Sequence, residues 1–187
     1  MTGLLLLSGG AGRRMGRSKH DLPHPAGGSW GGHLAGVFEA LWPSGSIVVL
    51  GEPLPDRPGL PRLDDPREGP AVALRRWCAE PAPPEDRWWI VACDQVRWTP
   101  ERLEAWFQRV TAADPGAARW VMAEHGGRLQ PLGGFLPGLL RPLLAGGIER
   151  SLVRLAQGVP HLVLPANGPE WLDLDTPEDR RTFEMGI

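Results

Sequence analysis

The 187 residues carry 20 Lys and Arg against 22 Asp and Glu, a formal net charge of −2, with 42% hydrophobic and 22% charged side chains. This balance is that of a folded chain; it excludes wholesale disorder and a strongly basic nucleic-acid coat. At this length one domain over residues 1–187 is expected, and the uncharged run at residues 1–12 falls short of the roughly 20 residues that span a bilayer. Arg13 and Arg14 follow that run instead of preceding it, the reverse of a secretory signal, so a cytoplasmic location with no membrane or nucleic-acid partner is expected. Cys78 and Cys93 lack metal-site spacing and read as reduced core thiols.

In chain order, residues 2–8 form a continuous apolar run ended by glycines, the pattern of a strand buried on both faces. A glycine and arginine loop occupies residues 9–16. Helical spacing through Leu34, Val37, Phe38 and Leu41 predicts a helix over residues 30–42, and residues 46–50 predict a second strand. The prolines of residues 53–66 predict irregular backbone, and Val72, Leu74 and Trp77 predict a helix over 69–80. After a loop at 81–86 comes a strand over 88–93 that ends at Asp94. Thr99 and Pro100 then start a helix over 100–112.

Residues 119–124, 129–135 and 161–164 read as short strands, and residues 139–144 and 151–157 as helices. The last helix, 176–183, opens with Thr176 as cap, Pro177 at its first position and Glu178 and Asp179 at the positive end of its dipole. Strands that alternate with helices imply a three-layer α/β/α domain with a mostly parallel central sheet. Ligands of such sheets bind at the carboxyl ends of the strands.

The chemistry concentrates after the first strand. Leu7, Ser8, Gly9, Gly10, Ala11, Gly12, Arg13 and Arg14 place small residues and cations where successive backbone N–H groups can converge on phosphates. Neither the Walker A spacing nor a full Gly-x-Gly-x-x-Gly fits this loop. Lys19, close behind it, is the only lysine beside 19 arginines, which suggests that a compact point charge is needed there. Asp94, at the end of a central strand, is a candidate ligand for a hard divalent cation or a simple turn residue.

The loop resembles the signature of nucleotidyltransferases that make sugar nucleotides and related activated alcohols, and most of all that of the MobA-type molybdenum cofactor guanylyltransferases. The likeness rests on Leu7, Gly9, Gly10, Arg14, Met15, Gly16 and Lys19, with Ser8 standing for alanine and Gly12 for serine. It continues in order through Leu22-Pro23, Gly69-Pro70, Cys93-Asp94, Gln130-Pro131-Leu132 and Asp175-Thr176-Pro177-Glu178-Asp179.

The resemblance implies a Rossmann-like nucleotidyltransferase fold, transfer of GMP from Mg²⁺-bound GTP to molybdopterin, and release of pyrophosphate. It implies Arg14 and Lys19 on the triphosphate, Asp94 on Mg²⁺, and an aspartate near Gly69 on the nucleotide, a place for which spacing does not decide between Asp64 and Asp65. Asp175 stands where the family has asparagine; it is either a second metal ligand or part of the helix start. The family's asparagine after the second strand is replaced by Leu50-Gly51-Glu52, and the single asparagine is Asn167.

Two alternatives follow: a cytidylyltransferase or sugar or polyol-phosphate nucleotidyltransferase of the same fold, or a nucleotide-binding homologue without turnover. A monomer or weak homo-oligomer is expected. The five histidines show no ligand spacing, with His20 and His24 expected to be solvated, and the nine tryptophans, Trp88 and Trp89 among them, are expected to serve the core.

Overall fold

A computed structural model describes residues 1–9, 19–174 and 176–185. Seven strands, β1 (Thr2–Leu7), β2 (Ile47–Leu50), β3 (Arg62–Leu63), β4 (Arg87–Ala92), β5 (Trp120–His125), β6 (Arg128–Pro137) and β7 (His161–Pro165), form one sheet in the order β3-β2-β1-β4-β6-β5-β7. β1 runs parallel to β2 and β4, β2 to β3 and β5 to β7, while β6 lies antiparallel between β4 and β5. This is the mostly parallel α/β sheet read from the sequence.

Among the described residues the α-helices are α1 (Trp30–Leu41), α2 (Pro70–Ala79), α3 (Pro100–Ala113), α4 (Arg141–Ala145), α5 (Leu152–Gln157) and α6 (Pro177–Glu184). Alternation along β1 sends Leu4 and Leu6 to a core shared with α1 and α3, and Leu5 and Leu7 to a core shared with α2, α4 and α5. β4 does the same: Trp89 and Val91 face the first layer, Trp88 and Ile90 the second. Both tryptophans are completely buried, because helices cover both faces of the sheet.

Local sequence writes the helix starts. Thr99 Oγ1 accepts the Arg102 N–H at 3.3 Å ahead of Pro100, and Thr176 and Asp179 exchange side-chain to backbone bonds in a capping box. Ser29 caps α1 through Gly32 N–H and is itself held by Asp56, whose carboxylate accepts Ser29 N–H at 3.0 Å and Ser29 Oγ–H at 2.6 Å. No helix among the described residues is long and apolar enough to cross a membrane.

The proline-rich stretch 53–66 corrects one expectation. Two of its residues, Arg62 and Leu63, form edge strand β3 because Val49 N–H reaches Pro61 O at 2.9 Å and Gly51 N–H reaches Leu63 O at 2.8 Å. His20 corrects another. It is 4% exposed within a 3₁₀ turn at Lys19–Asp21, packed where a solvated ring was expected.

Candidate active site

The strand order turns back between β1 and β4, and there the carboxyl ends of β2, β1 and β4 lie side by side in the register Leu50, Leu7, Ala92. Such a crevice is where open α/β sheets bind ligands. Backbone bonds lock it: Ser8 N–H donates to Leu50 O at 2.8 Å and Cys93 N–H to Leu7 O at 3.0 Å. The Ser8 hydroxyl donates to the Leu50 and Glu52 carbonyls and is buried, so it ties two loops together.

Gly9 must be small. A methyl group on it would lie 1.9 Å from Asp65 Oδ2, so the Asp65 carboxylate rests against the start of the glycine-rich loop. Gly51 crosses on the other side: its φ is +118°, and a Cβ there would meet Gly9 N at 2.5 Å. Asp64, the other candidate in sequence, points elsewhere; it is exposed and pairs with Arg62 at 2.8 Å. Gly69, at φ +100°, leads into Pro70 at the start of α2.

Lys19 and Asp94, 75 residues apart, meet. Lys19 Nζ donates to Asp94 Oδ2 at 2.8 Å, and each side chain is only 18% exposed. The other carboxylate oxygen, Asp94 Oδ1, is buried and has no partner among the described residues. A buried, uncompensated carboxylate oxygen costs free energy and calls for a cation or donor. That fits a hard divalent metal, although among the described residues no cluster of three or more His, Cys, Asp or Glu side chains could hold one.

Leu174 N–H donates to Asp94 O at 3.2 Å, which brings Leu174 against the same strand end. Asp175 itself, and Gly10, Ala11, Gly12, Arg13 and Arg14, lie outside the described residues. Beside Asp94, burial pushes the Cys93 thiol well above its usual range, with the Asp94 charge adding to the effect, and burial lifts Cys78 to about 12. Both cysteines are free and buried.

Residues without a sequence signal also shape this end of the sheet. His24 and His33, nine apart in sequence, stack with ring centroids at 3.6 Å, and Asp56 clamps the start of α1. Only Gly51, directly after a strand, could have been singled out by its position.

The family model of the MobA-like NTP transferase domain matches residues 4–164. The chain belongs to this family. It is a nucleotidyltransferase by that membership, with the glycine-rich loop, Lys19 and Asp94 all inside the matched segment.

Among solved structures, Rv0371c from Mycobacterium tuberculosis H37Rv is similar at 19% identity and a TM-score of 0.71, over 100% of this chain and 99% of its own. A complex of that protein with manganese gives 18% identity, a TM-score of 0.66 and coverages of 100% and 98%. Molybdopterin-guanine dinucleotide biosynthesis protein A from Archaeoglobus fulgidus gives 16% identity and a TM-score of 0.70, over 99% of this chain and 97% of its own. CMP:2-keto-3-deoxy-manno-octonic acid synthetase complexed with CTP gives 11% identity and a TM-score of 0.70, over 98% and 97%. These likenesses share the fold across different named substrates. A search of the curated proteins gave no match.

Proposed function

We propose that the chain transfers GMP from Mg²⁺-bound GTP to molybdopterin, with release of pyrophosphate, as a single domain over residues 1–187. The observation that carries this reading is the Lys19–Asp94 pair at the carboxyl ends of β1 and β4, with Asp94 Oδ1 buried and unpartnered among the described residues. The choice of GTP and molybdopterin rests on the family and on the residues of the loop it resembles.

A phosphate oxygen of the acceptor attacks the α-phosphorus of the nucleotide; the α–β bridging bond breaks and its electrons leave with pyrophosphate. No bond to the protein is needed, so the chain positions the reactants and neutralises charge. Bound Mg²⁺ supplies a divalent charge to the oxygens of the triphosphate. Asp94 would hold it, and Asp175, which stands where the family has asparagine, would add a second carboxylate. Lys19 and Arg14 neutralise the triphosphate, the backbone of residues 8–13 cradles it, and Asp65 contacts the nucleoside from its place against Gly9.

A melting-temperature panel of the four nucleoside triphosphates with Mg²⁺, followed by pyrophosphate release on molybdopterin, tests this. A ligand at one hundred times its Kd adds about 2.7 kcal/mol, a rise of about 5–10 °C for a chain of this size. GTP is expected to give the largest rise and to support release. A larger rise with CTP would replace guanylyl by cytidylyl transfer, and binding without release would make the chain a nucleotide-binding homologue.

A further inference from the structure

Between Lys19 and α1 the chain follows the surface, with residues 25–28 exposed, yet Lys19 Nζ meets Asp94 Oδ2 at 2.8 Å. A fixed point for this segment lies in the proline-rich stretch between β2 and β3. We infer that Asp56 is a positioning residue for Lys19, acting through Ser29 and Leu22 to set the ammonium against Asp94.

The start of α1 is shaped around residues 54–56. Glycine is the poorest helix former after proline, yet Gly31 and Gly32 stand in the first turn of α1. A Cβ on Gly32 would lie 2.0 Å from Asp56 Oδ2, and one on Gly31 2.4 Å from Leu54 Cδ2. Gly28, at φ +73°, would bring such an atom within 2.7 Å of the same Oδ2. Leu54 is fully buried, Arg57 N–H closes a turn on Leu54 O at 3.1 Å, and the Arg57 guanidinium reaches Glu39, farther along α1, at 2.8 Å. The turn is thereby seated on α1, and the Asp56 carboxylate accepts both Ser29 N–H at 3.0 Å and Ser29 Oγ–H at 2.6 Å. Both bonds are charge-assisted.

Ser29 passes the constraint on. It pairs with Pro23 in an isolated antiparallel bridge, Trp30 N–H donates to Leu22 O at 2.8 Å, and Leu22 N–H donates to Lys19 O at 3.1 Å. Leu22 and Trp30 are buried with Val96 and Leu174 in a cluster of their own. Val96 lies two residues after Asp94, and Leu174 N–H bonds the Asp94 carbonyl, so one apolar cluster backs both members of the pair. His24, stacked on His33 of α1, pins the middle of the segment, so loss of Asp56 displaces Lys19 without releasing it. A shift of about 1 Å is enough to weaken a group that must meet a phosphate oxygen. The effect on nucleotide affinity rests on the role proposed for Lys19 on the triphosphate.

Lys19 is the single lysine, so a chain labelled with [ε-¹³C]lysine gives one Cε–Hε signal. Asp94→Asn fixes where that signal lies once the charge of the partner is gone. Without nucleotide, Asp56→Ala is expected to move the signal from the parent position toward that of Asp94→Asn. Asp56→Asn, which keeps one acceptor oxygen for Ser29, is expected to move it less, and it carries the same readings should Asp56→Ala fail to fold. Ser151→Ala removes the cap of α5, a loss of stability with no link to Lys19, and should leave the signal in place. By calorimetry, the affinity of Asp56→Ala for Mg²⁺-GTP is expected to fall about fivefold, while Ser151→Ala binds like the parent. A parent that does not bind Mg²⁺-GTP, with the lysine signal still moved by Asp56→Ala, would sink the nucleotide assignment and leave Asp56 as the residue that places Lys19. A lysine signal at the parent position in both Asp56 variants, an equal movement in Ser151→Ala, or parent-like affinity of Asp56→Ala for a nucleotide that the parent binds would overturn the inference.

Discussion

Gly9→Ala separates Asp65 from Asp64 as the nucleotide contact. The new methyl would sit 1.9 Å from Asp65 Oδ2 and 2.8 Å from its Cγ, so the carboxylate must retreat by about 1.5 Å to reach ordinary contact. That retreat breaks the bond from Arg67 N–H to Asp65 Oδ1, 2.9 Å long and solvent-exposed, a loss of about 1 kcal/mol. Replacing glycine stiffens the unfolded chain and returns about 0.4–1 kcal/mol. The two effects nearly cancel, and the urea midpoint should stay close to that of the parent.

Nucleotide affinity should not survive as well. Displacement of a carboxylate from the nucleoside is expected to weaken Mg²⁺-GTP about tenfold by calorimetry, or about 1.4 kcal/mol. Asp65→Ala should lose the same amount, and the double variant should lose no more than either single one, since both act through one group. Asp64→Ala should bind like the parent, because it gives up only an exposed pair with Arg62. A loss in Asp64→Ala equal to that in Asp65→Ala, or additive losses in the double variant, would refute the reasoning.

Three more outcomes follow from the geometry. Although partial burial opposes its charge, hydrogen bonds from Ser29 hold the Asp56 carboxyl below its usual range; Asp56→Asn should cost about 1 kcal/mol at pH 7 in urea unfolding, a difference that shrinks as pH falls through the lowered value. His24 is held down to about 4 by burial and by His33, so the fold favours its neutral form: its contribution is whole above pH 6.5 and is lost as pH falls toward 4. His24→Phe should accordingly show a flatter stability profile than the parent between pH 7 and 4. Asp175→Asn, with Thr176 left to cap α6, should move the Mg²⁺ midpoint of turnover upward with the melting temperature unchanged; superimposable Mg²⁺ curves would remove Asp175 from the metal.

Local features were legible in the sequence because their physics is local. The leucines of β1, the Thr99-Pro100 start of α3 and the Thr176-to-Asp179 box of α6 need only their own neighbours to be read. β3 was not legible: two residues among prolines become a strand only because β2 offers them its edge. Trp88 and Trp89 show the same limit, since a dipeptide reveals alternation but not that helices cover both faces.

The parts of the site were legible and their assembly was not. Lys19 and Asp94 stood out by residue type and position, but their meeting depends on the β1–β4 register. Asp64 and Asp65 are neighbours in sequence, and only the approach to Gly9 tells them apart. The burial of His20 and the stacking of His24 on His33 arise from packing of the segment after Lys19, for which no spacing rule exists.

The Mg²⁺ dependence of pyrophosphate release in the parent and in Asp94→Asn tests the central claim most directly. The substitution keeps the shape of the side chain beside Lys19 and removes the charge that the buried, unpartnered Oδ1 carries. The account predicts a Mg²⁺ midpoint at far higher concentration and turnover lower by about two orders of magnitude or more, the scale on which lost charge stabilisation acts. An unchanged Mg²⁺ titration with parent-like turnover would contradict it and leave Asp94 as a residue that only anchors Lys19.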